Sequence, residues 1–237
     1  MPSLKDKTVL IIGRGSGIAR AIALAVCEAG GRVIAAGRNP DNLAGSYRDM
    51  NIGVELLDVT DEASVAALAG RTARLDHVVC TASARARGGY ADLTAGLVNA
   101  SFATKVIGPM LLAKHLAANL APDGSFLFMS GATALKPAPG MLAVAATNAA
   151  VDAVTAGLAV ELAPIRVNAL APGTIDTGAY DALGDERKAA LFTARSATNP
   201  ARRIGTPDDI AAAAIMALTN GFLTGTSIPV DGGEHLV

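Results

Sequence analysis

The chain has 237 residues, and its 20 Lys and Arg against 21 Asp and Glu leave a formal net charge of −1. That balance gives no electrostatic pull towards nucleic acid or an anionic membrane, and no basic run with interleaved aromatics is present. Hydrophobic residues make up 51% of the chain, aromatics only 3%, so the apolar content is mostly Ala, Val, Leu and Ile, which suits helices packed closely on a parallel sheet.

The polar stretch Met1-Pro2-Ser3-Leu4-Lys5-Asp6-Lys7 lacks the apolar core of a signal peptide, and a cytoplasmic location is expected. Thr8–Ile12 is a short apolar strand, and residues 13–17 turn into an Ala-rich helix ending at Gly30-Gly31. Residues 32–36 and 54–57 are strands two and three. Asp61 and Glu62 open a short helix, where acidic side chains suit the positive end of the helix dipole. Strand four is 77–81, and a long helix covers about 97–120, ended by Pro122-Asp123-Gly124 as a turn. Strand five is 125–129. The helix 141–162 is apolar, but Glu161 and Pro164 interrupt it well short of a membrane span. Strand six is 166–170, a helix with Pro at its start spans 207–220, and Ser227–Val230 is a last strand. This repeated β-α-β pattern, without repeat, linker or low-complexity segment, predicts one α/β domain over 1–237. Its expected form is a Rossmann-type doubly wound parallel sheet of about seven strands with helices on both faces. Cys27 and Cys80 suit buried thiols rather than a disulfide framework. His77, His115 and His235 share no ligand spacing with one another or with Cys, so no metal site is predicted.

The segment Gly13-Arg14-Gly15-Ser16-Gly17-Ile18-Ala19 follows a strand and opens a helix. Gly13 is expected to permit the tight turn. Gly17 lets the backbone approach a pyrophosphate held by free amides at the helix start, and Ala19 is small enough for close helix–strand packing. Strand two ends at Gly37-Arg38, where an acidic residue would accept from the ribose 2′-hydroxyl of NAD. A guanidinium matches a 2′-phosphate in charge and geometry, so Arg38, helped by Arg14, points to NADP(H) over NAD(H). A solvated loop charge is the alternative for Arg38.

The G-x-x-x-G-x-A spacing, the segment from Arg166 to Thr177 (Arg-Val-Asn-Ala-Leu-Ala-Pro-Gly-Thr-Ile-Asp-Thr) and Pro229-Val230-Asp231-Gly232-Gly233 resemble the short-chain dehydrogenase/reductase family, from end to end of the chain. The resemblance implies an adenine contact at Asp58-Val59, with a helix N-cap or turn as the alternative for Asp58. It implies that Pro172-Gly173 turn the chain under the nicotinamide, whose carboxamide bonds the backbone near Ile175 and the hydroxyl of Thr177. After strand four the family has Asn-Asn-Ala-Gly; here Cys80-Thr81-Ala82-Ser83 keeps only Ala82.

The resemblance also implies a Tyr-x-x-x-Lys helix, a Ser and an Asn at the reacting carbonyl. Val144 and Asn148 hold the Tyr and Lys places, Gly131 with Ser130 beside it the Ser place, and Lys105 the Asn place. Lys and Asn have thus traded helices. We expect Lys105 to supply the positive charge, Ser130 a hydroxyl and Asn148 a neutral partner; the alternative is that Lys105 is a solvated helix lysine. Arg85 and Arg87 lie at the expected substrate mouth, as an attraction for an anionic substrate or as a solvated loop. Tyr90 and Tyr180 flank it, and either phenol is a candidate to replace the missing tyrosine. Residues 180–203 match the family's mobile lid. The expected function is an NADP(H)-dependent oxidoreductase of carbonyl or alcohol substrates with altered catalytic groups. The alternatives are a non-catalytic NADP(H)-binding sensor or partner subunit, and an enzyme using the pocket for a non-redox reaction. A homo-oligomer, tetramer or dimer, is expected, with Ala143, Ala146, Ala150, Ala153 and Gly157 as the small-residue face of the pairing helix.

Overall fold

A computed structural model describes residues 3–237; Met1 and Pro2 of the polar N-terminal stretch lie outside them. The strands are β1 (Thr8–Ile12), β2 (Arg32–Gly37), β3 (Gly53–Leu56), β4 (Leu75–Cys80), β5 (Leu120–Met129), β6 (Arg166–Pro172) and β7 (Ser227–Val230). All pair in parallel, in the order β3-β2-β1-β4-β5-β6-β7. The sheet grows outward from β1 in one direction, then from β4 in the other. The loops after β1 and β4 therefore diverge and leave a crevice at the carboxyl edge, where ligands of such sheets bind.

The helices are α1 (Gly17–Glu28), α2 (Pro40–Ser46), α3 (Glu62–Arg71), α4 (Ala95–Phe102), α5 (Gly108–Leu116), α6 (Leu142–Glu161), α7 (Asp185–Thr198) and α8 (Pro207–Thr219). Side chains alternate across a strand. Val9 and Ile11 of β1 accordingly join one core with Ile22 and Val26 of α1 and Ile210 and Ala214 of α8. Leu10 and Ile12 join the other, with Leu68 of α3, Leu112 and Leu116 of α5 and Val151 of α6. Burial on both faces is why the strands read as continuous apolar runs. Phe126 and Phe128, stacked with ring centroids 5.9 Å apart, fill the second core, each contributing about 1.5–3 kcal/mol by leaving water.

Arg166 opens β6 and is buried without a carboxylate partner among the described residues. Its guanidinium donates instead to the carbonyls of Ala217 and Leu218, at 2.8 and 2.7 Å, and of Leu223 at 3.3 Å. It thus satisfies the free carbonyls at the end of α8 and sits at the negative end of that helix.

Three sequence expectations are corrected. Pro122-Asp123-Gly124 do not form a turn outside the sheet. Leu120 already pairs with Leu75, and a register shift before His77 absorbs the extra residues inside β5. Gly124 is needed there because a Cβ would come within 2.6 Å of the Asp76 carbonyl oxygen. The long helix is not regular. Between α4 and α5, Ala103–Ile107 form a π turn. Pro109 has no N–H to give the carbonyl of Lys105, which loosens the helix where the π turn sits. Finally, α6 does not fall well short of a bilayer: its 20 residues, at a rise of 1.5 Å each, and the helical run Ala95–Asn119 both pass the length and composition test for a membrane span. Both nevertheless carry buried polar groups, Lys105, Thr147 and Asn148 among them, and pack on the sheet.

His77 on β4 is buried beside Ser125, with Nδ1 and Oγ 2.8 Å apart, and burial followed by the charge of Arg166 pushes its pKa down to about 4. In the unfolded chain the imidazole binds its proton near the ordinary value of 6.5. Between those values the unfolded state holds a proton the folded state does not, so stability is full above about 6.5 and lost as pH falls towards 4. Urea unfolding at pH 7 and pH 5 should show lower stability at pH 5, and His77→Asn should flatten the difference.

Candidate active site

The turn between β1 and α1 is shaped by three close approaches. Gly15 and Gly17 have positive φ, +69° and +52°. A Cβ on Gly17 would come within 3.0 Å of the Thr177 side chain, so the Gly-rich turn and the segment after β6 touch here. Gly13 does not have a positive φ; its missing side chain makes room for Ala19 and Thr81, and the Thr81 hydroxyl donates to the Ile12 carbonyl at 2.9 Å. Gly13 thus permits the turn through its missing side chain, and Gly15 and Gly17 through their backbone conformation. Ser16 is the N-cap of α1, yet its side chain makes no capping bond and no acidic residue lies in the first turn. By contrast, Asn39, Asp61, Thr94 and Thr206 cap α2, α3, α4 and α8. The amides around Ser16, Gly17 and Ile18 are left as donors for an anion, which fits a pyrophosphate.

At the end of β2, a Cβ on Gly37 would lie 2.7 Å from the Gly13 carbonyl oxygen. No acidic side chain fits there without moving the Gly-rich turn. Arg38 beside it is exposed, and its charge helps hold the Asp58 carboxyl below the ordinary range, after the hydrogen bonds from Thr60. Asp58 Oδ1 accepts from the Thr60 amide at 2.9 Å and hydroxyl at 2.7 Å, the local turn that was the alternative for this residue. Val59 turns its side chain into the core against Gly108. Ala82 follows β4 at the crevice. Gly173 packs against Asp231, where a Cβ would come within 2.7 Å, and Ile175 is buried and bridged to Gly205.

Lys105 is not a solvated lysine. It is only 7% exposed, turned inward by the π turn, and its ammonium donates to the Ser130 carbonyl at 3.0 Å and to Asn148 Oδ1. Lysine only donates, so Asn148 presents its oxygen to Lys105 and its amide to the other side. There Nδ2 donates to the Thr133 hydroxyl at 2.7 Å. Thr133 therefore keeps its own proton free to give. Ser130 takes part through its carbonyl, because its hydroxyl donates to the Asn148 carbonyl at 3.1 Å; the expected hydroxyl role at Ser130 is corrected. Gly131 has no side chain because a Cβ there would come within 2.6 Å of Asn148 Nδ2. Burial first, then the nearby charge of Arg85, brings the Lys105 pKa down to about 7, with Asp152 acting the other way. One turn beyond Asn148, Asp152 Oδ1 is buried with no partner among the described residues. Val144 is buried and apolar.

Of the two candidate phenols, Tyr90 is 84% exposed on a short 3₁₀ turn and does not reach the cluster. Tyr180 packs edge-on against Phe192 of α7 at 5.5 Å, with the Arg87 guanidinium 6.0 Å from its ring centre. The stretch expected as a lid is helical, as α7. Its Arg195 bonds Glu234 at 2.9 Å, and Glu234 also accepts from the Thr174 amide at 2.8 Å, tying α7 to the turn after β6. His115 bonds Glu62 and His235 bonds Asp231, so the three histidines lie with separate partners.

The family model described as enoyl-(acyl carrier protein) reductase matches residues 12–235. The chain is 32% identical to the short-chain dehydrogenase/reductase ATR9 of Stachybotrys chlorohalonatus, over 100% of both chains. It superposes on the MalC reductase/Diels-Alderase of Malbranchea aurantiaca with a TM-score of 0.90 at 30% identity, over 99% of this chain and 98% of that one. A small-chain dehydrogenase in complex with NADPH superposes with a TM-score of 0.83 at 31% identity, over 98% and 99%. The chain belongs to the short-chain dehydrogenase/reductase family. As an oxidoreductase of that family it has the expected doubly wound sheet, and the structure brings together Lys105, Ser130 and Asn148, which are 18 to 43 positions apart in pairwise contact. Sequence reasoning missed Thr133. No spacing marks it; only the orientation forced on Asn148 gives its hydroxyl a role.

Proposed function

We propose that this short-chain dehydrogenase/reductase is an NADPH-dependent reductase of carbonyl compounds in which Lys105 gives the proton. The observation that carries the reading is the buried ammonium held between the Ser130 carbonyl and Asn148, with a pKa near neutrality. A general acid works best when its pKa lies near the working pH. When bound, the dihydronicotinamide supplies the hydride. The free amides of α1 hold the pyrophosphate, and Arg38, with Arg14, takes the 2′-phosphate, while the absence of space at Gly37 removes the acid that would favour NAD. Pro172, Gly173, Ile175 and Thr177, adjoining the Gly-rich turn through Gly17, line the nicotinamide end, as the family resemblance implies; Asp58 Oδ2 and the Val59 backbone remain for adenine. Thr133 donates to the substrate oxygen and holds it towards Lys105. Lys105 would give a proton from its ammonium to that oxygen as negative charge builds on it. The product is an alcohol, and the neutral amine recovers its proton from solvent. The NADPH complex of the small-chain dehydrogenase supports the cofactor choice.

A binding-only protein keeps the same cofactor contacts. The Lys105 cluster favours catalysis, because a buried charge is a poor source of stability and an apolar residue of similar size would serve the fold as well.

NADPH oxidation over a panel of aldehydes, ketones, quinones and acyl thioesters should find turnover that falls as pH rises through about 7, since reduction needs the protonated amine. Lys105→Met should lower kcat by ~10²–10⁴-fold with NADPH still bound. A wild-type protein that binds NADPH tightly and reduces none of the panel would falsify the reading. Arg38→Gln should weaken NADPH binding by ~10–100-fold, the worth of a charge-assisted hydrogen bond, and leave NADH nearly unchanged in a calorimetric titration. We also propose a homo-oligomer, a tetramer in preference to a dimer. Leu97, Ile107, Met110 and Val160 expose apolar surface, and Ala146, Ala153 and Gly157 of α6 are open. Ala143 is not part of that face, since it packs inside its own fold. A monomer mass by light scattering would refute the oligomer.

A further inference from the structure

The loop after β4 carries two cations, Arg85 and Arg87, to which the reaction above gives no ligand. It is held at both ends. The Ser101 hydroxyl of α4 donates to the Ala84 carbonyl at 2.7 Å, and the Gly88 amide donates to the Gly140 carbonyl, just before α6, at 3.0 Å. Between these anchors Ala86 is buried, while Arg85 and Arg87 on either side of it are exposed. Arg87 reaches Tyr180, at the base of the lid, and Arg85 is the strongest charge acting on Lys105. The titratable groups acting on Arg85 are the cations Arg87 and Arg14 and the phenol of Tyr180, with no carboxylate among them. In the lid, Lys188 is closed by Asp176 and Asp181, and Arg195 by Glu234, while Arg187 and Arg202 enter no salt bridge among the described residues. Arg14, Arg85 and Arg87 enter no salt bridge among the described residues.

Like charges gathered at a cleft repel one another and raise the local concentration of anions. The cofactor phosphates account for Arg14, on the Gly-rich turn. Arg85 and Arg87 lie instead on the loop whose charges reach Lys105 on one side and the Tyr180 ring on the other. We propose that Arg85 and Arg87 bind an oxyanion, a carboxylate or a phosphate, carried by the carbonyl substrate. The inference rests on the reductase reading and names the substrate class of that same site. A guanidinium fork suits either group through paired N–H donors.

The test uses two matched pairs of probes on the enzyme with NADPH bound: acetoacetate against methyl acetoacetate, and dihydroxyacetone phosphate against dihydroxyacetone. Binding is read from the fluorescence of bound NADPH, which needs no turnover, and reduction from NADPH oxidation. The anionic member of at least one pair should bind ~10-fold or more tightly than its neutral partner, and the pair that responds tells carboxylate from phosphate. That preference should shrink as NaCl screens it. Arg85→Gln/Arg87→Gln should erase it in the fluorescence titration while the affinities for NADPH and for the neutral probes stay within about twofold. Equal binding within both pairs, or a preference that survives the double variant, overturns the proposal while leaving the reductase reading standing. Failure of the wild type to bind NADPH overturns both.

Discussion

A buried ammonium must be surrounded by acceptors, because leaving it unpaired costs several kcal/mol. That constraint organises the centre of this protein. Lys105 is met by the Ser130 carbonyl and by Asn148 Oδ1. With the oxygen of Asn148 so committed, its amide turns to Thr133 and occupies the space over Gly131. One charge therefore dictates an amide orientation on α6, and frees a hydroxyl proton and excludes a side chain on the stretch after β5. The π turn and Pro109 that follow belong to the same arrangement, since they aim Lys105 inward.

The cofactor end obeys a different constraint, the close approach of backbones. Gly13, Gly17 and Gly37 are each hemmed in by another segment: Thr81 with Ala19, Thr177, and the Gly13 carbonyl. The turn that leaves the α1 amides free is also the turn that leaves no space for an acid after β2. Helix-start donors and a preference for a phosphorylated ribose follow from one piece of packing. The switch in strand order at β1 and β4 sets this turn beside the loop bearing Arg85 and Arg87.

Much of the fold is legible in order of residues alone. Apolar runs at 8–12 and 166–170 flanked by small-residue helices permit little other than a parallel sheet covered on both faces. Other features are not. The short helix α2 rests on a single Asn39 cap, and α7 is too polar to show a buried stripe, so neither carries a strong periodic signal. Pro122-Asp123-Gly124 has the composition of a turn, but pairing with β4 begins before it, and tertiary pairing overrode local preference. Ala143 looks like the rest of a small-residue face on α6 until the sheet beneath it is in view.

The residue order by itself determined the family, the dinucleotide turn and the unusual identities at 105, 131, 144 and 148, because motif spacing is a local property of the chain. Only the tertiary structure decided whether Lys105 was solvent-bathed or buried, which atom of Ser130 it met, and that Thr133 belonged beside it. Those answers depend on contacts between segments up to 43 residues apart, and a side chain's surroundings are set by what folds back against it, not by its neighbours along the chain.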